Sequence, residues 1–91
     1  MTRPVTPLAE DLGAILRSAR SMREWSMREL ARRTGVCHTY VDRIERGEYV
    51  PRLSTIIDLA QALGISAAVL LEPAILAEEA RRARSRAEAA E

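Results

Sequence analysis

Between Ser26 and Gly47 the chain sets two short helical runs on either side of a glycine, and this spacing limits the fold more than any other feature. Ser26-Met27-Arg28-Glu29 reads as a capping box, in which the serine hydroxyl bonds forward and the glutamate bonds back. The helix it opens covers roughly 27–33 and turns Leu30 and Ala31 inward. Thr34-Gly35 ends it, because glycine takes the left-handed conformation that a tight turn requires. A second helix follows at about 38–45, with Val41 and Ile44 inward, and Gly47 stops it. Two short helices joined by about three residues with a glycine make a helix-turn-helix. The small Ala31 lets the second helix cross the first at close range, and Val36, Val41 and Ile44 fill the wedge. Trp25, just before the cap, stands where a hydrophobic staple belongs.

Breakers divide the rest of the chain. Thr6-Pro7 supplies a hydroxyl cap and a proline where no N–H is needed, so a first helix is predicted over about 7–22. Leu53, Ile56, Ile57, Leu59, Ala60 and Leu63 mark a fourth helix, closed by Gly64. Ser66 caps a short fifth helix with Val69, Leu70 and Leu71. Glu72-Pro73 then begins a last helix-prone segment, 74–90, whose apolar stripe is Ile75, Leu76, Ala80, Ala83 and Ala87. No strand pattern appears, and 15 alanines with few β-branched residues favour helix. The expected fold is all-α: five helices over residues 1–72, with an additional C-terminal helix in 73–91.

The chain is 91 residues long with a formal net charge of +1, which alone speaks against nucleic acid. The balance is uneven. Residues 1–53 carry ten arginines against seven acids, and residues 54–91 carry four against six. The basic excess lies with the helix-turn-helix, and local charge matters more than the sum. Every cation is arginine, a planar fork suited to guanine edges and phosphates. A single cysteine excludes an internal disulfide scaffold. The longest apolar runs are four or five residues, and Met1-Thr2-Arg3-Pro4-Val5 has no apolar secretion segment, so a cytoplasmic, nucleoid-associated protein is expected. One histidine, one cysteine and no glycine-rich phosphate loop leave no catalytic constellation. Cys37-His38 has no further ligands at zinc spacing, so neither a metal nor a cofactor is expected.

Ser26-Met27-Arg28-Glu29-Leu30-Ala31-Arg32-Arg33-Thr34-Gly35-Val36, then Val41-Asp42-Arg43-Ile44-Glu45-Arg46-Gly47, then Pro51, then Ala60-Gln61-Ala62-Leu63-Gly64-Ile65, resembles the Cro/repressor-type helix-turn-helix of the XRE family. The resemblance covers about residues 8–72. It implies a five-helix, lambda-repressor-like DNA-binding domain, usually a dimeric transcription regulator on a palindromic operator. It also implies roles for particular residues. His38, Thr39, Asp42 and Arg43 face base edges from the third helix. Arg46 and Arg52 grip phosphate, with Met27 and Cys37 at helix starts and Arg28 beside them. Tyr40 either packs against the scaffold or gives its hydroxyl to phosphate. Arg20 and Glu45 form a partly buried ion bridge that ties the first helix to the third.

The sequence also departs from the family pattern. Met27 replaces a common glutamine, and Cys37 replaces the usual Ser or Thr cap. Cys37 reads first as an isosteric swap for serine, with redox sensing as the alternative. Asp42 on the reading helix repels phosphate unless it accepts from a cytosine amino group or pairs with a neighbouring arginine. The expected function is sequence-specific binding of double-stranded DNA by a homodimeric repressor, with half-sites about 10 bp apart centre to centre. Ile75, Leu76, Ala80 and Ala83 are the dimerisation candidates. The alternatives are an antitoxin-like regulator whose C-terminal helix takes a protein partner, and a protein-interaction module built on the same helices.

Overall fold

The computed structural model describes residues 6–90; the start at 1–5, read above for a secretion segment, and Glu91 lie outside the described residues. Thr6 accepts a hydrogen bond from the Ala9 N–H at 3.2 Å, and Pro7 opens α1, Pro7–Ser21. Ser26 accepts from the Glu29 N–H at 3.1 Å and opens α2, Met27–Thr34. Gly35, at φ 76°, turns the chain, its N–H bonded to the Ala31 carbonyl at 2.8 Å. Then come α3, His38–Glu45, and α4, Leu53–Leu63. The last element, α5, runs unbroken from Ala67 to Ala90.

Leu16, Leu30, Ala31, Val41, Ile44, Leu59 and Leu63 form the main core, so α1, α2, α3 and α4 each contribute. Leu30, Ile44, Leu59 and Val41 are its largest fully buried side chains. Each contributes roughly 1.5–3 kcal/mol of burial. Ile56, Ala60 and Leu70 form a second cluster that seats α5 on α4. Trp25 packs on the main core, and the Arg33 guanidinium lies 4.1 Å from its ring centroid.

Three expectations change. First, the short fifth helix and the separate C-terminal helix are one element, so Pro73 sits inside a helix rather than at its boundary. Proline removes one helical hydrogen bond there. The helix continues because Leu70 and Ala74, flanking the proline, are buried, and because Arg81 reaches Asp11 of α1 at 3.0 Å. Second, the C-terminal segment packs on the body through Ala74, Ala77, Glu78 and Arg81, a face its apolar pattern did not mark, while the Ile75, Leu76, Ala80 and Ala83 stripe offered for dimerisation stays exposed. Third, Leu53 and Ile57 of α4 are exposed, while Ile56, Leu59, Ala60 and Leu63 carry its buried face.

Candidate nucleic-acid interface

An eight-residue helix is too short to hold itself, so α3 takes its orientation from its buried side. Val41 and Ile44 are sealed in the core. Glu45, with a side chain only 5% exposed, receives Arg20 in a forked contact: Nε to Oε2 at 2.7 Å and Nη2 to Oε1 at 2.9 Å. Arg20 also donates through Nη1 to the Trp25 carbonyl at 2.6 Å, so one guanidinium joins α1, the turn before α2, and α3. The hydrogen bond to Glu45 raises the Arg20 pKa further above its ordinary value. Gly13 of α1 completes the arrangement. A Cβ there would lie 2.5 Å from the Ile44 carbonyl oxygen and 2.7 Å from that of Glu45. Only glycine lets α1 touch the backbone of α3 this closely. The sequence reading passed over Gly13; its signal was a glycine inside a helical pattern, which often marks a packing requirement.

With that side fixed, α3 shows two outward rows. His38, Asp42 and Arg46 stand at four-residue steps, and Thr39 and Arg43 stand beside them. His38, Thr39, Arg43 and Arg46 are exposed, and Asp42 is half-buried. Two shallow hollows flank the start of α3. Arg28 and Arg32 line one together with His38, and Arg52 and Thr55 line the other together with Tyr40; Cys37 borders both. Arg28 and Arg52 therefore bracket the helix start. Cys37 and Arg52, the caps of α3 and α4, make no side-chain capping bond. The first amides of both helices are left available to an anion.

The remaining candidates differ in placement. Met27 is half-buried and packs on the core, so its side chain does not share the open surface with Arg28. Tyr40 packs on the core and meets Tyr49 edge-on, with ring centroids 5.4 Å apart. Burial, then the neighbouring Tyr40, raises the Tyr49 pKa, while the nearby Arg43 charge lowers it. The Thr39 and Tyr40 amides draw the Cys37 thiol below its ordinary value, with Thr39 the larger influence.

The ion pairs redistribute the charge. Arg46 pairs with Asp42 at 3.3 Å, and Arg20 occupies Glu45. Arg43 therefore pairs with neither acid. Among the described residues, Arg28, Arg43 and Arg52 have no carboxylate partner. Glu29 does not reach back to its cap, so the capping box is half-made. Its carboxylate is taken by Arg32 at 2.7 Å and Arg33 at 2.8 Å, which hold its pKa down to about 2.

Known proteins match this arrangement. The helix-turn-helix domain family matches residues 11–72. The chain belongs to that family of DNA-binding transcriptional regulators. A hypothetical transcription factor of Neisseria meningitidis is 42% identical over 71 residues, covering 74% of this chain and 67% of that protein. An uncharacterised HTH-type transcriptional regulator of Mycobacterium tuberculosis is 41% identical over 58 residues, covering 64% of this chain. The chain spans only 41% of that relative's length. Among solved structures, the clp gene regulator ClgR from Corynebacterium glutamicum superposes with a TM-score of 0.72 at 31% identity, covering 96% of this chain and 93% of ClgR. The match covers the helix-turn-helix domain, and the relatives that share it are described as transcriptional regulators. No helix among the described residues is long and apolar enough to cross a membrane.

Proposed function

We propose that this chain is a homodimeric repressor that reads a palindromic operator with α3 in the major groove. His38, Thr39, Asp42 and Arg43 face base edges. Arg28, Arg46 and Arg52 hold phosphates, together with the open amides at the starts of α3 and α4; Met27 and Cys37 stand at the starts of α2 and α3, and Tyr40 lies beside them. The observation that carries this reading is Arg43, which has no acidic partner and stands on a helix clamped from behind by Arg20 and Glu45. An arginine in that position suits the two acceptors of a guanine edge. The exposed outer face of α5, with Ile75 and Leu76 47% and 57% exposed, joins two copies and sets half-sites roughly 10 bp apart. On this reading the recognition unit is residues 1–72, residues 73–91 supply the dimer contact, and the protein works at the nucleoid.

Operator selection from random duplex DNA, followed by salt titration, tests the proposal. A palindrome should emerge, and affinity should fall steeply with salt, with a slope of about −0.9 per phosphate held. Failure to retain any duplex at low salt would sink the reading and leave a protein-interaction module. Ile75→Glu with Leu76→Glu tests the dimer by sedimentation: a shift to monomer is expected. Unchanged stoichiometry would overturn α5 as the dimer contact and leave that face open to a protein partner, as in an antitoxin-like regulator.

A further inference from the structure

The carboxylate of Asp42 on α3 lies beside the guanidinium of Arg46, which the reading above assigns to phosphate, and this contact carries a consequence for the operator. The inference rests on the DNA reading above and sharpens it. Asp42 Oδ2 is 3.3 Å from Arg46 Nε, with the Arg46 side chain 69% exposed and that of Asp42 30% exposed. The Arg20–Glu45 pair is forked, at 2.7 and 2.9 Å, and shielded. By contrast, the Asp42–Arg46 pair is single, longer and open to water, so it holds weakly. The two free oxygens of a tetrahedral backbone phosphate can take two N–H groups of Arg46 at once, whereas Asp42 meets it through a single contact.

Once Arg46 moves to phosphate, Asp42 is a bare carboxylate turned toward the groove. An ionised carboxylate only accepts hydrogen bonds. In the major groove guanine presents two acceptors, and thymine an acceptor and a methyl group. Adenine's amino donor stands next to the N7 lone pair, which repels an anion. Cytosine presents an amino donor with no acceptor on its own major-groove edge, and so suits a carboxylate.

We infer that Asp42 and Arg46 form an exclusion filter. Any duplex can draw Arg46 away, but only a cytosine within reach of the second turn of α3 gives the released carboxylate a partner. The operator half-site therefore contains a C·G pair at that position. Asp42 acts by penalising the other bases more than by adding affinity.

The test compares the parent protein with D42N and R46Q on a selected operator and on its single-base variants at the Asp42 position, at fixed salt. The parent should favour cytosine by about 5- to 150-fold, the range one base pair ordinarily supplies. D42N should lose that preference, shift toward adenine, and bind unrelated duplex several-fold more tightly than the parent. R46Q should weaken all variants alike and keep their ratios. A D42N protein that retains the cytosine preference, or weakens uniformly on every duplex, overturns the filter alone. A parent protein that retains no duplex overturns the DNA reading and the filter together.

Discussion

The helix α3 and the outer half of α5 both show polar faces to water, yet they are held in opposite ways. Eight residues of α3 are fixed by two sealed apolar side chains, a forked ion bridge and a backbone contact at Gly13. The 24 residues of α5 bury only Leu70 and Ala74 fully, and its outer turns are held by Arg81 at Asp11. The difference teaches that length and helix propensity do not set rigidity here. Orientation comes from what the hidden face touches, and the shorter helix is the better aimed one.

Removing the clamp tests that contrast most severely. Glu45→Ala strips Arg20 of its partner in a shielded site and should cost about 3 kcal/mol. Thermal unfolding should show a drop on the order of 15 °C. A drop of only a few degrees would mean that α3 is held by its apolar side alone. Gly13→Ala places a methyl group against two carbonyls of α3 and should cost about 2 kcal/mol, read from urea unfolding. Operator affinity should fall beyond what the unfolded fraction explains, because α3 must shift. Arg43→Ala should leave stability within about 0.5 kcal/mol but remove about 1–2 kcal/mol of discrimination at one base pair, measured on operator variants.

The outer end of α5 should be much less sensitive. Truncation after Arg82 removes the exposed residues 83–90 with the chain end and should change stability by less than about 0.5 kcal/mol. Truncation after Glu72 also removes the buried Ala74 and the Arg81–Asp11 contact, and should be clearly more damaging. Equal effects from the two cuts would erase the distinction between the docked and outer parts of α5. The smallest effect belongs to Glu29. Its folded pKa, about 2, lies below its ordinary 4.5. Its stabilising contribution is therefore present above about 4.5 and disappears as pH falls toward 2, and carboxyl titration by NMR should show the low midpoint.

Most of the fold was legible because local chemistry and tertiary packing agree. Ser26, Gly35, Gly47 and Gly64 mark helix ends in the sequence, and they do so in the structure. The bounds of α3 are those that the spacing predicts. The misses arise where a distant contact outweighs a local rule. Pro73 reads as a boundary, but packing by Leu70 and Ala74 carries the helix across it. Glu29 reads as half of a capping box, but two arginines on its own helix take its oxygens. The Arg20–Glu45 geometry had no local signature, since 25 residues separate the partners; the family resemblance supplied that pair. At the candidate site the sequence named the residues on α3 without revealing that Asp42 engages Arg46 rather than Arg43.

Pro73 also bears on the order in which the molecule comes apart. Inside a continuous helix a proline weakens the ladder, but at the first position of a helix its fixed φ favours initiation. The residues after it are rich in alanine, arginine and glutamate, and they remain good helix formers without α1. If the contacts around Leu70, Ala74 and Arg81 open, the helix after Pro73 keeps its hydrogen bonds and loses only its heading. The joint at 72–73 then works as a hinge, and undocking changes where the C-terminal rod points before it changes how helical the chain is.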